Sequence, residues 1–335
     1  MRGPFLRGKE VYHAIRDPRT GRIFAASNDA WFGSRIVYSD DLGDTWVEAK
    51  SGPAFSEASG LKLERIWHIE PGPPEAPNLL YAGVAPAALF RSEDAGETWN
   101  EVASLSQHPT RDRWHPGAGG LCLHSIQLDP GNPLRMYVGI SAVGVFRTDD
   151  GGATWSTVNR GTRAEFMPNK YPEFGQCVHK LLVSQAAPSL LYQQNHCGVY
   201  RSGDAGESWQ EITAGLPSDF GFPLALHPRD PETLYVLPLQ GAEFRCPPDG
   251  KLRVFRSRDG GQTWQGLGTG LPQENAFPNV LREGMAADRC EPAGIYFGTN
   301  TGKIYASRDE GDSWSLLADN LAPICSISVE GTGPN

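Results

Sequence analysis

The chain has 335 residues, of which 39 are glycine and 27 proline, a composition suited to an all-β protein with many turns. Its net charge of −9 and isoelectric point near 5.4 exclude the basic field that a nucleic-acid binder turns towards phosphates. No run of about 18 uncharged apolar residues occurs, and residues 1–10 lack the apolar core of a secretory signal, so a cytoplasmic protein without membrane attachment is expected.

In chain order, apolar patterning predicts a first pair of strands at residues 11–15 and 23–26. Equivalent pairs follow at 66–70 and 79–83, at 121–128 and 135–140, and at 177–183 and 190–194. Two more stand at 224–226 and 234–237, and at 284–286 and 295–298. After each pair comes a third strand, a nine-residue box and a fourth strand, as at 144–147, 147–155 and 154–158 in the third unit. The boxes occupy 38–46, 91–99, 147–155, 201–209, 256–264 and 306–314. Each carries Ser or Thr, then Asp, Gly and Ser or Thr at intervals of two, and then Trp.

The box aspartates Asp41, Asp94, Asp150, Asp204, Asp259 and Asp309 lie 53, 56, 54, 55 and 50 residues apart. A fixed period of this size marks a repeat array whose units cannot bury their faces alone. Four-stranded antiparallel units repeated radially predict a six-bladed β-propeller, which shelters its sheet edges. One domain, 1–335, is expected, with blades at about 1–60, 61–116, 117–171, 172–218, 219–275 and 276–335. A further apolar stretch at 324–329 either pairs with the N-terminal segment to complete the last blade or begins a truncated seventh, so seven blades is the alternative.

Within each box the Asp accepts hydrogen bonds from nearby backbone N–H groups, the Gly supplies a conformation other residues resist, and the Trp buries a large ring. One carboxylate per repeat at the same turn reads as scaffold, because a site breaks a repeat rather than following it. The boxes resemble the bacterial neuraminidase repeat, or Asp-box, with its pattern Ser-x-Asp-x-Gly-x-Thr-Trp. The resemblance implies the propeller of the sialidase-like superfamily. That superfamily includes sialidases, xyloglucan-cleaving glycosidases, sorting-receptor propellers and photosystem assembly factors, so it leaves the activity open. Sialidases of this kind also carry a Phe/Tyr-Arg-Ile-Pro motif. Its nearest counterpart here, Gly21-Arg22-Ile23-Phe24, lacks the proline, and classical sialidase activity is not expected.

Aligning the units on Tyr81, Tyr137, Tyr192, Tyr235 and Tyr296 places His68, His124, His179, Phe222 and Glu283 in one slot of the first strand, with His13 taking that place in the first unit. Four of the eight histidines share the slot. Imidazoles and a carboxylate gathered there suit a divalent metal, so His13, His68, His124, His179 and Glu283 are candidate ligands for Zn, Mn, Fe or Cu. The competing reading is that these histidines pack between blades, bonded to backbone or water. Cys122 and Cys177, two residues before slot histidines, share their strand side and could approach a metal. With no Cys-x-x-Cys pair, the six cysteines read as reduced thiols.

Long, dissimilar loops converge on the face where the first strands begin. Residues 107–120 hold His108, Arg111, Arg113, Trp114 and His115, and residues 160–176 hold Arg163, Glu165, Lys170, Tyr171 and Glu173. His115 and His196 are candidate proton-transfer groups, and Arg111, Arg113 and Arg163 candidate clamps for an anion. Trp31, Trp114, Tyr171 and Asn195 are candidate substrate contacts, the aromatics as platforms for a sugar ring. The leading expectation is a metal-dependent hydrolase or lyase acting on a carbohydrate or small anion, with no organic cofactor. The alternatives are a non-catalytic propeller that binds a protein or assembly partner, and a metal-free glycosidase using loop carboxylates such as Glu165, Glu173 and Asp219. The sequence is silent on oligomeric state.

Overall fold

Each Asp-box closes on itself through the same four hydrogen bonds, and these explain why the chain turns where it does. In the first, Ser39 Oγ donates to Asp41 Oδ1 at 2.8 Å and accepts from Gly43 N–H at 2.8 Å. Thr45 N–H and Oγ1–H donate to the two oxygens of Asp41 at 2.8 and 2.7 Å. The set recurs around Asp94, Asp150, Asp204, Asp259 and Asp309. These bonds stabilise the ionised carboxylate, so all six aspartates are shifted below the usual range, Asp41 and Asp150 to about 2.

These hairpins belong to a computed structural model that describes residues 3–29 and 31–330. It contains six four-stranded antiparallel sheets, each a meander in chain order, and they are the blades of a six-bladed β-propeller. Blade 1 comprises Glu10–Arg16, Ile23–Asp29, Gly33–Ser39 and Val47–Glu48, and blade 2 Arg65–Pro71, Leu80–Ala85, Ala88–Ser92 and Asn100–Glu101. Blade 3 comprises Leu123–Asp129, Asn132–Ile140, Gly144–Thr148 and Ser156–Thr157. Blade 4 is built from Val178–Val183, Leu191–Asn195, Gly198–Ser202 and Gln210–Glu211, and blade 5 from Gly221–Leu226, Leu234–Pro238, Val254–Ser257 and Gln265–Leu267. Blade 6 comprises Met285–Ala287, Ile295–Gly298, Ile304–Ser307 and Ser315–Ala318. No helix among the described residues is long and apolar enough to cross a membrane.

The chain divides after Thr157 into two compact units, of which the first holds blades 1–3 and the second blades 4–6. In unit 1 the facing sides of blades 1 and 2 bury Phe24, Ile36, Ile66, Ile69, Leu80, Phe90 and Trp99. Unit 2 has two such layers, one with Tyr192, Leu224 and Val236 and another with Tyr235, Val254, Ile295, Phe297 and Trp314. The box tryptophans also stitch blades together. Trp264 Nε1–H donates to Ile212 O at 2.9 Å, and Trp314 N–H to Thr269 O at 2.9 Å. At Gly270 (φ +86°) an added Cβ would stand 2.1 Å from Trp314 O, so the blades approach this closely because the position is glycine.

The stretch 324–329 departs from both sequence expectations. It forms an isolated parallel bridge within unit 2, in which Ile327 N–H donates to Glu283 O at 2.8 Å, and Ile324 N–H bonds Thr299 O at 3.0 Å. Close packing of the Ile324 side chain over Gly298 holds it along blade 6, and no further sheet arises from it among the described residues.

Candidate functional site

The slot histidines stand at a backbone irregularity. In blades 1 to 5 the register between first and second strands slips at this slot, between Val11 and Ala14, Ile66 and His68, Leu123 and Ser125, Val178 and Lys180, and Gly221 and Leu224. A bulge breaks strict alternation and re-aims side chains. All six slot residues are buried.

Their hydrogen bonds sort them. In unit 1, His13 Nδ1 accepts from Ile69 N–H at 3.3 Å, which leaves its proton on Nε2, and the ring stacks on His68 with centroids 4.3 Å apart. His68 Nε2 lies 3.0 Å from Glu70 Oε2, and His124 Nδ1 lies 3.1 Å from Ser125 Oγ. In unit 2, Glu283 is held by Lys180, whose Nζ lies 2.5 Å from Oε2 with both side chains buried. The bulge accounts for this pair. Strict alternation would turn Lys180 away from His179, whereas the slipped register brings it inward. His13 Nδ1 and Glu283 Oε2 are thus engaged by a backbone N–H and by a lysine.

His179 is arranged differently. Its Nδ1–H donates to Gly221 O at 2.6 Å, fixing the tautomer in which Nε2 carries the lone pair. Burial, followed by the charge of Arg282, holds its pKa well below the ordinary value, so the ring is neutral. His196, at the two-residue turn joining the second and third strands of blade 4, approaches edge-on at 5.6 Å, and burial lowers its pKa too. The Cys177 thiol and one ring nitrogen each of His179 and His196 all lie within 4.8 Å of one another. Phe166 and Phe220 flank His196, while Phe222 lies beneath His179 with Arg245 and Arg282 over its ring at 5.4 and 5.6 Å.

Beside this cluster, the loop 160–176 brings Arg163 to the same face of unit 2. The Arg163 guanidinium lies 3.5 Å from Glu165, 3.3 Å from Glu211 and 3.5 Å from Asp219. Burial would lower the Arg163 pKa, but the charge of Glu211 and the contact with Tyr200 raise it on balance. Lys170 pairs with Glu165 at 3.0 Å and lowers its pKa. The side chain of Gln176 donates to Pro172 O at 2.7 Å, and that of Gln193 to Thr162 Oγ1 at 3.2 Å, bracing the loop from inside. Gln194, also buried, donates to Asp219 O at 3.2 Å and fixes the segment that carries the carboxylate. Arg163 is thus engaged by three carboxylates of its own chain.

The remaining candidates scatter. In unit 1, Trp114 is buried against Phe146 and donates from Nε1 to Thr110 Oγ1 at 2.8 Å, so it anchors its loop rather than offering a platform. Arg111 stacks on Trp114 at 4.8 Å, and burial lowers its pKa. Arg113 and His115 are exposed on the same loop. Asn195 is fully buried at the end of its strand, and its side chain bonds Gln193 at 3.4 Å instead of facing solvent. Tyr171 is exposed in unit 2, and Trp31, 90% exposed, tops a hairpin in unit 1 whose Asp29 accepts from Trp31 N–H at 2.7 Å. Sequence reading gave no role to Lys180, Glu211, Gln194 or Arg282. Their significance arises from a bulge and from loop packing, neither of which leaves a periodic signal.

Six hairpins of the Asp-box pattern on six four-stranded blades make the chain a six-bladed β-propeller with an Asp-box in every blade. Residues 255–265, spanning the fifth box, match the BNR/Asp-box repeat family. The chain is 28% identical over 277 residues to a xyloglucanase of Paenibacillus sp, covering 73% of this chain and 24% of that protein. Among solved structures it resembles an ancestral GH74 enzyme (TM-score 0.64, 17% identity, 93% of this chain and 39% of that one). It also resembles YCF48 from Cyanidioschyzon merolae (TM-score 0.63, 11% identity, 96% of this chain and 88% of that one). At these identities the solved structures share the fold. The chain spans about a quarter to a third of the length of the curated relatives it matches.

Proposed function

We propose that the chain is a carbohydrate hydrolase whose reacting groups are carboxylates on the loop face of unit 2. The observation that carries this reading is the convergence of Glu165, Glu211 and Asp219 on the single guanidinium of Arg163. Glycoside hydrolysis needs two carboxyl groups flanking the scissile bond, one to protonate the leaving oxygen and one to attack the sugar or activate water. Glu211 Oε1 and Asp219 Oδ2 each lie within 3.5 Å of the same Arg163 nitrogen, so the two oxygens stand at most about 7 Å apart, a limit that accommodates a retaining pair at about 5–5.5 Å. In this reading Glu211 and Asp219 are the reacting pair, one attacking the sugar or activating water and the other passing a proton to the leaving oxygen, while Glu165, paired with Lys170, helps hold Arg163 in place. Exposed Tyr171 and Phe166 on the adjoining loop offer apolar faces for sugar rings.

The similarity to a xyloglucanase of Paenibacillus sp makes xyloglucan the first substrate to try. Reducing-end release from xyloglucan and a panel of other β-glucans and anionic glycans tests the reading. Glu211→Gln and Asp219→Asn are each expected to lose at least about 100-fold in turnover while remaining folded. Activity indifferent to both substitutions, or a wild-type chain that neither cleaves nor is retarded by any glycan of the panel, would reject it.

A second reading has one observation in its favour. Trp31 and Phe32, 90% and 73% exposed at one hairpin tip in unit 1, form the kind of apolar anchor that a non-catalytic propeller presents to a protein partner.

A further inference from the structure

We infer that Cys177, His179 and His196 form a binding site for one divalent thiophilic metal ion of the zinc class. Three lines of geometry meet here, all within unit 2. The three donor atoms already lie within 4.8 Å of one another. Tetrahedral zinc, with bonds of about 2.0–2.1 Å to nitrogen and about 2.3 Å to sulfur, needs them roughly 3.5 Å apart, a contraction that side-chain torsions can supply. The second line is the orientation of His179. Metal-bound imidazoles commonly donate their other N–H to a carbonyl or carboxylate, and His179 Nδ1–H donates to Gly221 O at 2.6 Å, presenting Nε2 with its lone pair. The backbone holds the rest: His196 N–H donates to Cys177 O at 2.9 Å, which fixes the turn carrying one ligand against the residue carrying another.

The chemistry of the donor set narrows the ion. One sulfur and two neutral imidazole nitrogens select Zn²⁺ and its near neighbours over Mg²⁺ or Ca²⁺, which take oxygen ligands. Both histidines are shifted towards the neutral form that a metal requires, chiefly by burial. The charges of Arg282 and Arg245 act on His179, and Asp219, whose charge reaches His196, offsets part of this positive field. Three protein ligands leave a fourth position open to a water or another ligand, and Cys177 and His196 are half-buried, with the exposed Phe166 against His196. The site is distinct from the ring of slot residues expected from sequence, of which it uses His179 alone. The inference concerns metal binding itself and stands or falls independently of glycan cleavage.

The test uses the full chain without a histidine tag, freed of metal with a chelator and titrated with Co²⁺ as a spectroscopic probe and then with Zn²⁺ in competition. One equivalent of Co²⁺ is expected to produce thiolate-to-metal charge-transfer absorption with the intense visible bands of a four-coordinate ion, and one equivalent of Zn²⁺ to abolish both. Cys177→Ser should remove the charge-transfer band, and His196→Asn, at a half-buried two-residue turn, should weaken Co²⁺ binding at least about 10-fold. Circular dichroism of each variant verifies the fold, and Cys122→Ser, in unit 1, should leave the spectrum unchanged. Absence of stoichiometric Co²⁺ binding to the wild-type chain, or a charge-transfer band that survives in Cys177→Ser, would overturn the inference.

Discussion

Lys180 and Glu283 show how a single pair decides between a ligand and a strut. Both side chains are at least nine-tenths buried and meet at 2.5 Å, so each charge is tolerated because the other is present. Removing one partner exposes the desolvation cost of the other. Lys180→Met is therefore expected to destabilise unit 2 by about 3–5 kcal/mol, while Lys180→Met combined with Glu283→Gln should recover most of that loss. Urea unfolding of the two single variants and the double variant measures the coupling, and additive losses would show that the pair is not coupled. Glu283 was visible in the sequence as the residue that breaks a histidine slot, but its partner was not. Lys180 directly follows His179, and alternation along a strand places it on the wrong side until the bulge is known.

At the scale of the element, the Asp-box was the most legible part of the chain. Every atom of its hydrogen-bond set comes from residues no more than four apart, so residue type at fixed spacing determines the turn without help from tertiary packing. The first strands were less legible. Their existence followed from apolar runs, whereas the slipped register at the slot depends on neighbouring strands and left no mark in the periodicity. The boxes also carry a pH signature. Their aspartates have folded pKa values below the unfolded value, near 2 for Asp41 and Asp150, so the stability they confer is complete above about pH 4 and is lost as pH falls towards about 2. Thermal melts at stepped pH should show a falling midpoint over this window, with a shallower slope for Asp150→Asn than for the parent. An identical slope in that variant would place the acid sensitivity elsewhere.

For the whole molecule, six equal boxes made the six-bladed propeller readable from sequence, but that same regularity hid the chemistry. The histidine slot attracted notice because it repeats, whereas the groups that come together in unit 2 are single events. Cys177 precedes a strand, His196 occupies a tight turn, and Arg163 and Asp219 arrive on two different loops. Their convergence is tertiary, and only isolated members were open to inference beforehand. On the proposed reading, reaction chemistry belongs to the carboxylates around Arg163, and the stacked pair His13 and His68 takes no part in it. The most direct measurement is reducing-end release from the best glycan substrate by Asp219→Asn and by His68→Gln, each matched to wild type for folded content. Loss of about 100-fold or more in Asp219→Asn with near wild-type turnover in His68→Gln is the predicted result. Full activity in Asp219→Asn together with collapse in His68→Gln would contradict the account and return the chemistry to the histidine slot.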